Sequence, residues 1–381
     1  MKKINLVIYG ATGSIGGSVL SIVRSNRKKF NVQGITCNKN YNKLIKIAEE
    51  FNVKKLGINK RIKGTVKKLN KFHVYEDIST FSNMCDNKTD VIIFAISGLV
   101  GLDLIHKLCK IGKTIGMANK ECVISLGENL SKLAKKNCSS IVPLDSEHNS
   151  IFHLLNNDHG SFKSITITAS GGPFRKLPLK SFNNISINQA VSHPIWKMGK
   201  KISIDSATMV NKALEIIEAK YLFNLEDSQI DAIIHPQAVV HAMVNYKNGI
   251  TTALLNKPDM RIPISSLFFK FNGYTNKTKE LNLLEYSKLE FYPINIKRYP
   301  AIKLGKEVMK IGGLAPNAFN YLNEILVGHF LKGSIKFADI TVLNEINLEK
   351  IFSKNINIMS PSLMDIKNIN NWIDKNLYLR H

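Results

Sequence analysis

Residues 4–16 read INLVIYGATGSIG, a short apolar run followed by glycines at positions 10, 13 and 16. The apolar run predicts a buried strand, and the amphipathic sequence that continues to about Asn26 predicts a helix. Glycines between a strand and a helix let the backbone approach a pyrophosphate, whose charge is stabilised at the helix N-terminus. Because the spacing differs from the usual G-x-G-x-x-G, an ordinary tight turn remains the alternative. The pattern predicts a dinucleotide-binding strand, loop and helix.

Strands and helices continue to alternate over roughly the first third of the chain. Apolar runs predict strands at 32–36, 55–58, 90–96, 114–117 and 140–144, and amphipathic runs predict helices at 41–52, 102–111 and 120–137. Residues 59–89 show no clear period. Such alternation is typical of a doubly wound parallel sheet that binds its ligand at the carboxyl ends of the strands. We therefore predict an α/β fold with a Rossmann-like domain at residues 1–145.

The end of the second predicted strand indicates which dinucleotide is bound. Residues 37–40 read CNKN, without the Asp or Glu that NAD-binding folds place there for the ribose hydroxyls. Lys39 between two amides suits a 2′-phosphate and so predicts NADPH, whereas a solvated surface lysine is the alternative. Asn119, Lys120 and Glu121 follow another predicted strand, which places Lys120 between the cofactor and whatever lies beyond it.

Residues 142–150, VPLDSEHNS, bring two carboxylates to the end of the strand predicted at 140–144. Asp145 and Glu147 are two residues apart, so their side chains can point at one place. Neighbouring carboxylates repel each other unless a proton or a cation lies between them, and oxygen ligands suit Mg²⁺ or Mn²⁺ better than zinc. Alternatively, Asp145 and Ser146 simply cap the following helix.

The second half of the chain contains a candidate oxyanion site and a candidate lid. A strand predicted at 163–169 ends in SGGPFR at 170–175, where a hydroxyl, two glycines and a guanidinium suit an anion; a Gly-Pro turn is the alternative. The loop VSHPIWKMG at 191–199 carries large apolar residues, which predicts either a lid over the substrate or residues that pack on the core.

A polar helix face follows this loop. Residues 201–204 predict a short strand that gives way to a helix near Asp205 or Ser206, which would place Ser206 at a helix N-terminus. On that helix Asn211, Glu215 and Glu218 share one face, with Lys212 beside it. Together they could serve a phosphate, hydroxyl groups and a metal, although a solvated charged face is the alternative.

The remaining segments indicate structure more than chemistry. His235 and His241 lack helical metal-ligand spacing and are predicted to be structural, and residues 258–263 are predicted to form a packing turn. Amphipathic helices are predicted at 301–311 and 317–331, ended by glycines. We predict a central α+β catalytic domain at 146–275, a linker at 276–300 and a C-terminal helical domain at 301–381 that supports the site.

The composition limits the possible functions. The chain has 53 basic and 29 acidic residues, a net charge of +24, but the basic residues are scattered and do not form a nucleic-acid-binding patch. No apolar run is long enough to cross a membrane, and no signal-peptide pattern is present. The five cysteines form no C-x-x-C pair, which is typical of reduced thiols in a cytosolic protein.

In combination, these motifs resemble the 1-deoxy-D-xylulose 5-phosphate (DXP) reductoisomerase family, whose members catalyse the second step of non-mevalonate isoprenoid biosynthesis. The motifs that carry the resemblance are GATGSIG (10–16), ANKE (118–121), PLDSEHN (143–149), SGGPF (170–174), HPIWKMG (193–199), DSATMVNKALE (205–215), HPQAVVH (235–241) and PDMR (258–261). The chain departs from the family pattern at Ala11, Asn38 and Ala213, and at the run 321–324 (YLNE). None of these departures removes a ligand oxygen or a charge.

The resemblance implies a set of site residues. A divalent metal, Mg²⁺ or Mn²⁺ with Co²⁺ also possible, would be bound by Asp145, Glu147 and Glu215, which with Lys120 would be the catalytic residues. The implied substrate-binding residues are Lys120, Ser146, Glu147, Ser170, His193, Trp196, Met198, Ser206, Asn211, Lys212 and Glu215. The implied NADPH-binding residues are Thr12, Gly13, Ser14, Ile15, Asn38, Lys39, Asn40, Asn119, Glu121 and Gly199.

The resemblance also implies an activity: rearrangement of DXP, a phosphorylated sugar, and its NADPH-dependent reduction to 2-C-methyl-D-erythritol 4-phosphate. The metal is expected to stabilise the developing oxyanion, with Lys120, Glu147 and His148 as candidate proton carriers. A cytoplasmic homodimer with a flap at 192–200 is implied, with no nucleic-acid or membrane partner. The alternatives are another NADP-dependent dehydrogenase of a phosphorylated sugar or polyol, with a metal-free acid/base site, and a basic binding protein with an inert nucleotide fold.

Overall fold

The computed structural model describes residues 3–59, 69–155, 161–196, 198–269, 277–354 and 358–379. The strands are β1 (Ile4–Tyr9), β2 (Phe30–Cys37), β3 (Lys55–Ile58), β4 (His73–Tyr75), β5 (Val91–Phe94), β6 (Thr114–Met117), β7 (Ser140–Pro143), β8 (Phe162–Ala169), β9 (Ile230–Ile234), β10 (Val240–Tyr246) and β11 (Thr251–Leu255). The helices are α1 (Ser14–Ser25), α2 (Tyr41–Phe51), α3 (Leu102–Leu108), α4 (Lys120–Leu126), α5 (Glu128–Lys136), α6 (Ser146–Leu155), α7 (Ile187–Ala190), α8 (Lys200–Ala207), α9 (Val210–Phe223), α10 (Arg261–Ser266), α11 (Pro300–Ile311), α12 (Ala315–Leu331), α13 (Asp339–Phe352) and α14 (Leu363–Asn376). Short 3₁₀ helices lie at Arg27–Lys29, Ile78–Met84, Leu99–Gly101, Leu179–Asn184, Asp227–Gln229 and Leu283–Glu285.

The chain divides into two compact units. The first unit comprises Met1–Cys122, Leu130–Asn149 and Asp259–Lys279, and the second comprises Val123–Asn129, Ser150–Pro258 and Glu280–His381. The domain boundaries expected at residues 145, 275 and 300 stay a prediction.

The first unit contains the seven-stranded sheet, in the order β4-β3-β2-β1-β5-β6-β7. All neighbouring strands in it run parallel. The central strands are almost wholly apolar and buried, as expected when both faces of a parallel sheet are covered. The strand order reverses at β1, because β2 lies on one side of it and β5 on the other. This topology confirms the predicted doubly wound Rossmann-like sheet.

The segment Asp259–Lys279 packs within the first unit although it lies far along the chain. Asp259 binds Arg261 through both carboxylate oxygens, and α10 begins at that arginine. The ring of Phe268 contacts that of Phe30 edge-on, with ring centroids 4.9 Å apart. A Cβ at Gly116 would lie 2.8 Å from a methyl group of Leu267, so this glycine gives the segment room to approach β6. The expected packing turn at 258–263 therefore leads directly into a short helix.

The second unit has a four-stranded mixed sheet and the C-terminal helices. The strand order is β11-β10-β8-β9, with β8 and β9 parallel and the other pairs antiparallel. Helix α11 packs closely on α9, since a Cβ at Gly305 would lie 2.7 Å from that of Ala213. Gly312, with φ of +71°, ends α11 as the sequence predicts. The expected central α+β and C-terminal helical regions are confirmed.

Two predictions of secondary structure are wrong. Residues 201–204 form part of α8, not a strand, and Ser206 lies near the C-terminal end of this helix, not at a helix N-terminus. The helix expected from 120 to 137 is interrupted at Gly127, whose φ of +53° is a left-handed conformation that ends α4 before α5 begins.

The five cysteines are thiols with different exposure. Cys37, Cys109 and Cys122 are buried, Cys85 is half-buried and Cys138 is exposed. Burial raises the pKa of the Cys37 and Cys85 thiols to about 11 and that of Cys109 to about 12. In the described part of the chain, every helix is too short or too polar to cross a membrane.

Candidate active site

A cavity of about 220 Å³ opens in the first unit at the carboxyl ends of β1, β2 and β5. It is lined by Gly10, Thr12, Gly13, Thr36, Cys37, Asn38, Asn59, Ile78, Phe81, Ala95, Ile96, Ser97 and Val100. The cavity lies where the strand order reverses, which is the position at which open α/β sheets bind their ligands.

The glycine loop brings the backbone close to this cavity. Gly10 has φ of +88°, and a Cβ there would overlap the carbonyl oxygen of Ala95. Gly13 precedes α1, so Ser14 and Ile15 belong to the first helical turn. The backbone N–H groups of that turn have no acceptor within the helix. These two features form a cradle suited to a pyrophosphate.

The residues expected to hold NADPH occupy different positions in the first unit. Thr12, Gly13 and Asn38 line the cavity, whereas Lys39 and Asn40 are exposed beyond it. Asn40 also caps α2, because its side chain accepts a hydrogen bond from the Lys43 amide at 3.1 Å. No pattern in the sequence indicates Asn59, Ile78 or Val100, although all three line the cavity. Asn59 follows β3, and Ile78 and Val100 belong to short 3₁₀ helices.

Asn119 performs a structural task. Its Nδ2 donates to the carbonyl oxygens of Ile96 at 2.6 Å and Gly98 at 2.8 Å, and its Oδ1 accepts from the Cys122 amide at 2.6 Å. The side chain therefore caps α4 and holds the loop that follows β5. Glu121, also expected to bind the cofactor, is buried in the same helix. Gly199, the last residue of that set, lies in the second unit as the N-cap of α8.

The first unit also presents the paired carboxylates. Lys120 Nζ lies 2.7 Å from Asp145 Oδ2, and the Ser146 hydroxyl donates to Glu147 Oε2 at 2.6 Å. Burial opposes ionisation of Asp145, but the positive charge of Lys120 and the nearby His148 hold the pKa of this carboxyl well below its usual range. Asp145 is therefore an anionic oxygen donor at neutral pH.

The polar face of α9 lies in the second unit. Asn211 Nδ2 and Lys212 Nζ both donate to the carboxylate of Glu215. Lys212 is 3% exposed and Glu215 is 1% exposed, so the predicted solvated-face alternative does not hold for these two residues. A buried carboxylate with an amide and an ammonium beside it is an ion pair removed from water, where its charges interact strongly with any ligand.

Ser170 and His193 meet in the second unit. Ser170 Oγ lies 3.1 Å from His193 Nε2, and the ring's Nδ1 accepts the amides of Ile195 and Trp196 at 3.2 and 2.9 Å. An Nδ1 that accepts hydrogen bonds carries no proton, so Nε2 carries it and donates to Ser170. The hydroxyl also accepts from the Gly172 amide at 3.2 Å, so its own proton can be donated to a ligand oxygen.

We expect His193 to stay neutral across the physiological pH range. Burial lowers the pKa of its imidazole from 6.5 to about 4. Between these two values the unfolded chain binds the proton more tightly, so this contribution to stability is present above pH 6.5 and is lost as the pH falls towards 4. Proton NMR of the histidine rings, with a His193→Asn variant for assignment, should show that the His193 ring remains unprotonated at about pH 5.5. A midpoint near 6.5 would contradict this.

The remaining residues expected to bind substrate belong to the second unit. Trp196 lies near His241, with ring centroids 6.4 Å apart, and Met198 is half-buried. Ser206 is half-buried in the last turn of α8, and a Cβ at Gly172 would lie 2.9 Å from its carbonyl oxygen. Gly172 has φ of +65° and therefore allows the loop after β8 to contact this turn. Ser170, Ser206 and α9 thus belong to one packed group of segments.

Protein-family models match most of the chain. The 1-deoxy-D-xylulose 5-phosphate reductoisomerase family matches residues 6–127, the C-terminal domain of that enzyme matches 141–223, and a second DXP reductoisomerase C-terminal domain matches 255–376. Among curated proteins, the 1-deoxy-D-xylulose 5-phosphate reductoisomerase of Pelagibacter ubique is 39% identical, covering 98% of this chain and 98% of its own. That of Clostridium tetani is 37% identical, covering 92% and 93%.

Solved structures agree in fold. A DOX-P reductoisomerase in complex with NADPH, fosmidomycin and magnesium superposes with a TM-score of 0.89 at 32% identity, covering 98% of this chain and 97% of that one. The Zymomonas mobilis enzyme in complex with NADPH has a TM-score of 0.88 at 32% identity, covering 97% of each chain. Full-length similarity to proteins of one name, in sequence and in fold, places this chain in the 1-deoxy-D-xylulose 5-phosphate reductoisomerase family.

Proposed function

We propose that this protein rearranges and reduces 1-deoxy-D-xylulose 5-phosphate to 2-C-methyl-D-erythritol 4-phosphate, using NADPH and a divalent metal, as a step of non-mevalonate isoprenoid biosynthesis. The observation that carries the proposal is the full-length relationship to enzymes of that name, at 39% identity over 98% of both chains. The cavity at the sheet switch point would hold the cofactor, and the two groups of polar residues would serve the metal and the substrate.

NADPH would occupy the cavity of the first unit. Gly10 lets the loop pack against Ala95 beside this cavity, and Ser14 and Ile15 would bind the pyrophosphate with their amides. Thr12 and Asn38 to Asn40 would contact the adenosine end, with Lys39 beside the 2′-phosphate. Asn119, Glu121 and Gly199 complete the set of NADPH-binding residues that the family resemblance implies. When bound, NADPH supplies the hydride for the reduction step.

Asp145, Glu147 and Glu215 would hold the metal through carboxylate oxygens, which are the ligands that Mg²⁺ and Mn²⁺ prefer. Co²⁺ is the third candidate. The fit is supported by the lowered pKa of Asp145, which keeps it anionic despite its burial. Glu215 adds a buried carboxylate whose position is fixed by Asn211 and Lys212. When bound, the metal supplies Lewis-acid stabilisation of negative charge on the substrate oxygens.

The substrate would be oriented from both ends. Ser170, Ser206, Asn211 and Lys212 would bind its phosphate, so that binding energy away from the reacting carbons fixes their position. At the reacting end, Ser146 and Lys120 would donate hydrogen bonds to the substrate oxygens. A flap containing His193, Trp196 and Met198 would exclude water from the bound substrate.

We further propose a homodimer located in the cytoplasm. The family resemblance supports the dimer. The location is supported by five thiols without a disulfide, because reduced cysteines are typical of proteins in reducing compartments. Size-exclusion chromatography with light scattering would measure the oligomeric state, and a mass near that of one 42.8 kDa chain would contradict a dimer.

The function is tested by measuring NADPH oxidation from the absorbance of the reduced nicotinamide at about 340 nm. The assay contains DXP and Mn²⁺, and a parallel assay contains EDTA in place of the metal. We expect oxidation that requires both DXP and the metal, with 2-C-methyl-D-erythritol 4-phosphate as the product. Activity that EDTA does not reduce would favour a metal-free dehydrogenase of a phosphorylated sugar. Salt-dependent DNA binding without NADPH oxidation would favour a basic binding protein.

Charge reversal at Lys39 tests the cofactor assignment. We expect Lys39→Asp to raise the KM for NADPH about tenfold, the equivalent of roughly 1.4 kcal/mol, with less effect on NADH. The reason is that an aspartate repels the 2′-phosphate but can accept a hydrogen bond from a ribose hydroxyl. Lys46→Asp is the matched control, because Lys46 is exposed on α2 and does not line the cavity. An unchanged ratio of the two KM values would place the 2′-phosphate elsewhere.

A further inference from the structure

Asp205, for which the proposed function has no role, is buried in the second unit with both carboxylate oxygens bound. Lys201 Nζ, one turn earlier in α8, lies 2.8 Å from Oδ2. Asn323 Nδ2, from the middle of α12, donates to Oδ1 at 2.7 Å. Asp205 is 2% exposed and Asn323 is fully buried. One carboxylate therefore joins α8 to a helix of the C-terminal region.

The segment directly after Asp205 carries the residues proposed to bind the phosphate. Ser206 is the next residue, and the Thr208 hydroxyl donates to the carbonyl of Ile204 at 3.1 Å, which closes the end of α8. Met209 then takes a left-handed conformation, with φ of +62°, and α9 begins. Any shift of α8 along or around its axis would therefore move Ser206 and the start of α9 together.

The energetics indicate that Asp205 serves geometry more than stability. A carboxylate withdrawn from water loses hydration energy that its partners only partly restore, so an apolar residue of similar size would often be as stable. Ile204 and Ala207 already anchor α8 in the core, since they are 0% and 1% exposed. Two hydrogen bonds from different directions, however, fix the position of a helix more narrowly than apolar contacts do.

We infer that Asp205 is a positioning residue that acts through Lys201 and Asn323 to hold Ser206 and the first turn of α9 in the geometry that binds the substrate phosphate. This inference rests on the proposed function, because it takes the phosphate of DXP as the group that this turn recognises. It also gives a role to the fully buried side chain of Asn323. The C-terminal helices then contribute to substrate binding without touching the substrate.

The test compares Asp205→Asn and Asn323→Ala with the unmodified protein. We expect each substitution to raise the KM for DXP, and its Kd measured by calorimetry, about tenfold, because small displacements of a binding group are costly. The KM for NADPH should stay within about twofold, since the nucleotide cavity is built from residues of the first unit. The double variant should be no worse than the more affected single variant, because both changes break one interaction.

Asn317→Ala is the matched control for lost stability. Asn317 is also fully buried on α12, but its Nδ2 donates to Asn370 Oδ1 of α14 at 2.8 Å and not to α8. We expect this variant to lower the melting temperature about as much as Asn323→Ala does, while the KM for DXP remains unchanged. A purely structural role for Asn323 would make the two variants alike in both measurements and would overturn the inference.

If Asp205→Asn or Asn323→Ala does not fold, a second pair of variants tests whether the ion pair between Lys201 and Asp205 affects the affinity for DXP. Lys201 is partly exposed, so we expect its variants to fold. Lys201→Arg keeps the positive charge and should retain the affinity for DXP, whereas Lys201→Gln should lose it. Equal affinities for these two variants would contradict a role for the charge pair. If the unmodified protein neither binds nor turns over DXP, the proposed function fails and the inference fails with it. If the unmodified protein binds and turns over DXP but the paired variants have equal affinities for DXP, the proposed function stands and the inference alone fails.

Discussion

Glu215→Gln is expected to lower kcat about 100-fold or more while the protein remains folded. The substitution keeps the shape of the side chain and an oxygen that can accept a hydrogen bond from Lys212. It removes the negative charge that a divalent cation needs, because carboxylates and not amides supply most of the binding energy for Mg²⁺. Turnover should be measured over a range of Mg²⁺ concentrations, and we expect the half-saturating concentration to rise together with the loss of kcat.

Asp227→Asn is a suitable control for this experiment. Asp227 also pairs with a lysine of α9, at 2.5 Å from Lys220 Nζ, but at the opposite end of the helix from Asn211 and Lys212. Its loss should leave kcat and the Mg²⁺ dependence unchanged, since this partly exposed ion pair contributes little and lies at the other end of the helix. Turnover of Glu215→Gln close to that of the unmodified protein at limiting Mg²⁺ would refute the assignment of Glu215 to the metal.

Gly10→Ala is expected to destabilise the protein by about 3 kcal/mol or more and to abolish NADPH binding. The residue has φ of +88°, which alanine adopts only with strain, and the added methyl group would overlap the Ala95 carbonyl at the end of β5. Either the loop or the neighbouring strand must move, and both border the cavity proposed to hold NADPH. Urea unfolding gives the stability change, and fluorescence titration with NADPH gives the affinity.

Gly17→Ala separates this effect from the general consequence of replacing a glycine. Gly17 lies inside α1, where an added Cβ has no atom within 4 Å. Alanine favours the helix by roughly 1 kcal/mol relative to glycine, so this variant should be more stable than the unmodified protein. If Gly10→Ala were as stable as Gly17→Ala and still bound NADPH, the predicted clash between the added methyl group and the Ala95 carbonyl would be contradicted.

The alternation of elements in the first unit could be predicted well because its signals are local. Strands β3 and β6 begin and end where the apolar runs do, at Lys55–Ile58 and Thr114–Met117. Buried parallel strands need apolar side chains on both faces, so the sequence marks them clearly. The break between α4 and α5 was missed, although Gly127 was visible, because a single glycine does not always end a helix.

The misassigned strand at 201–204 shows where local signals fail. Ile202 and Ile204 alternate with polar residues, which is the pattern of a strand, yet Ile202 is 36% exposed and Ile204 is fully buried in a helix. The helix is stabilised by the ion pair between Lys201 and Asp205, which lie one turn apart. It is also stabilised by the hydrogen bond from Asn323, which lies 118 positions after Asp205 in the chain. No local window contains that last contact.

The candidate site was predictable to a similar extent. Residues at strand ends, such as Asn38 and Asp145, followed from the rule that parallel strands present their ligands at one edge. The burial of Lys212 and Glu215 could not be foreseen, because the same spacing occurs on solvated helix faces. Asn59 and Val100 reach the nucleotide cavity from segments without a periodic pattern, so only the tertiary structure reveals them.

The uneven exposure of the cysteines has a practical consequence for the study of this protein in solution. Cys138 alone among the five thiols is exposed, and the others are wholly or partly shielded, three of them with a pKa of about 11 or 12. Maleimide reagents attack the thiolate, which such values make scarce. A fluorescent dye or spin label can therefore be attached at Cys138 of the native sequence, just before the strand that leads to Asp145.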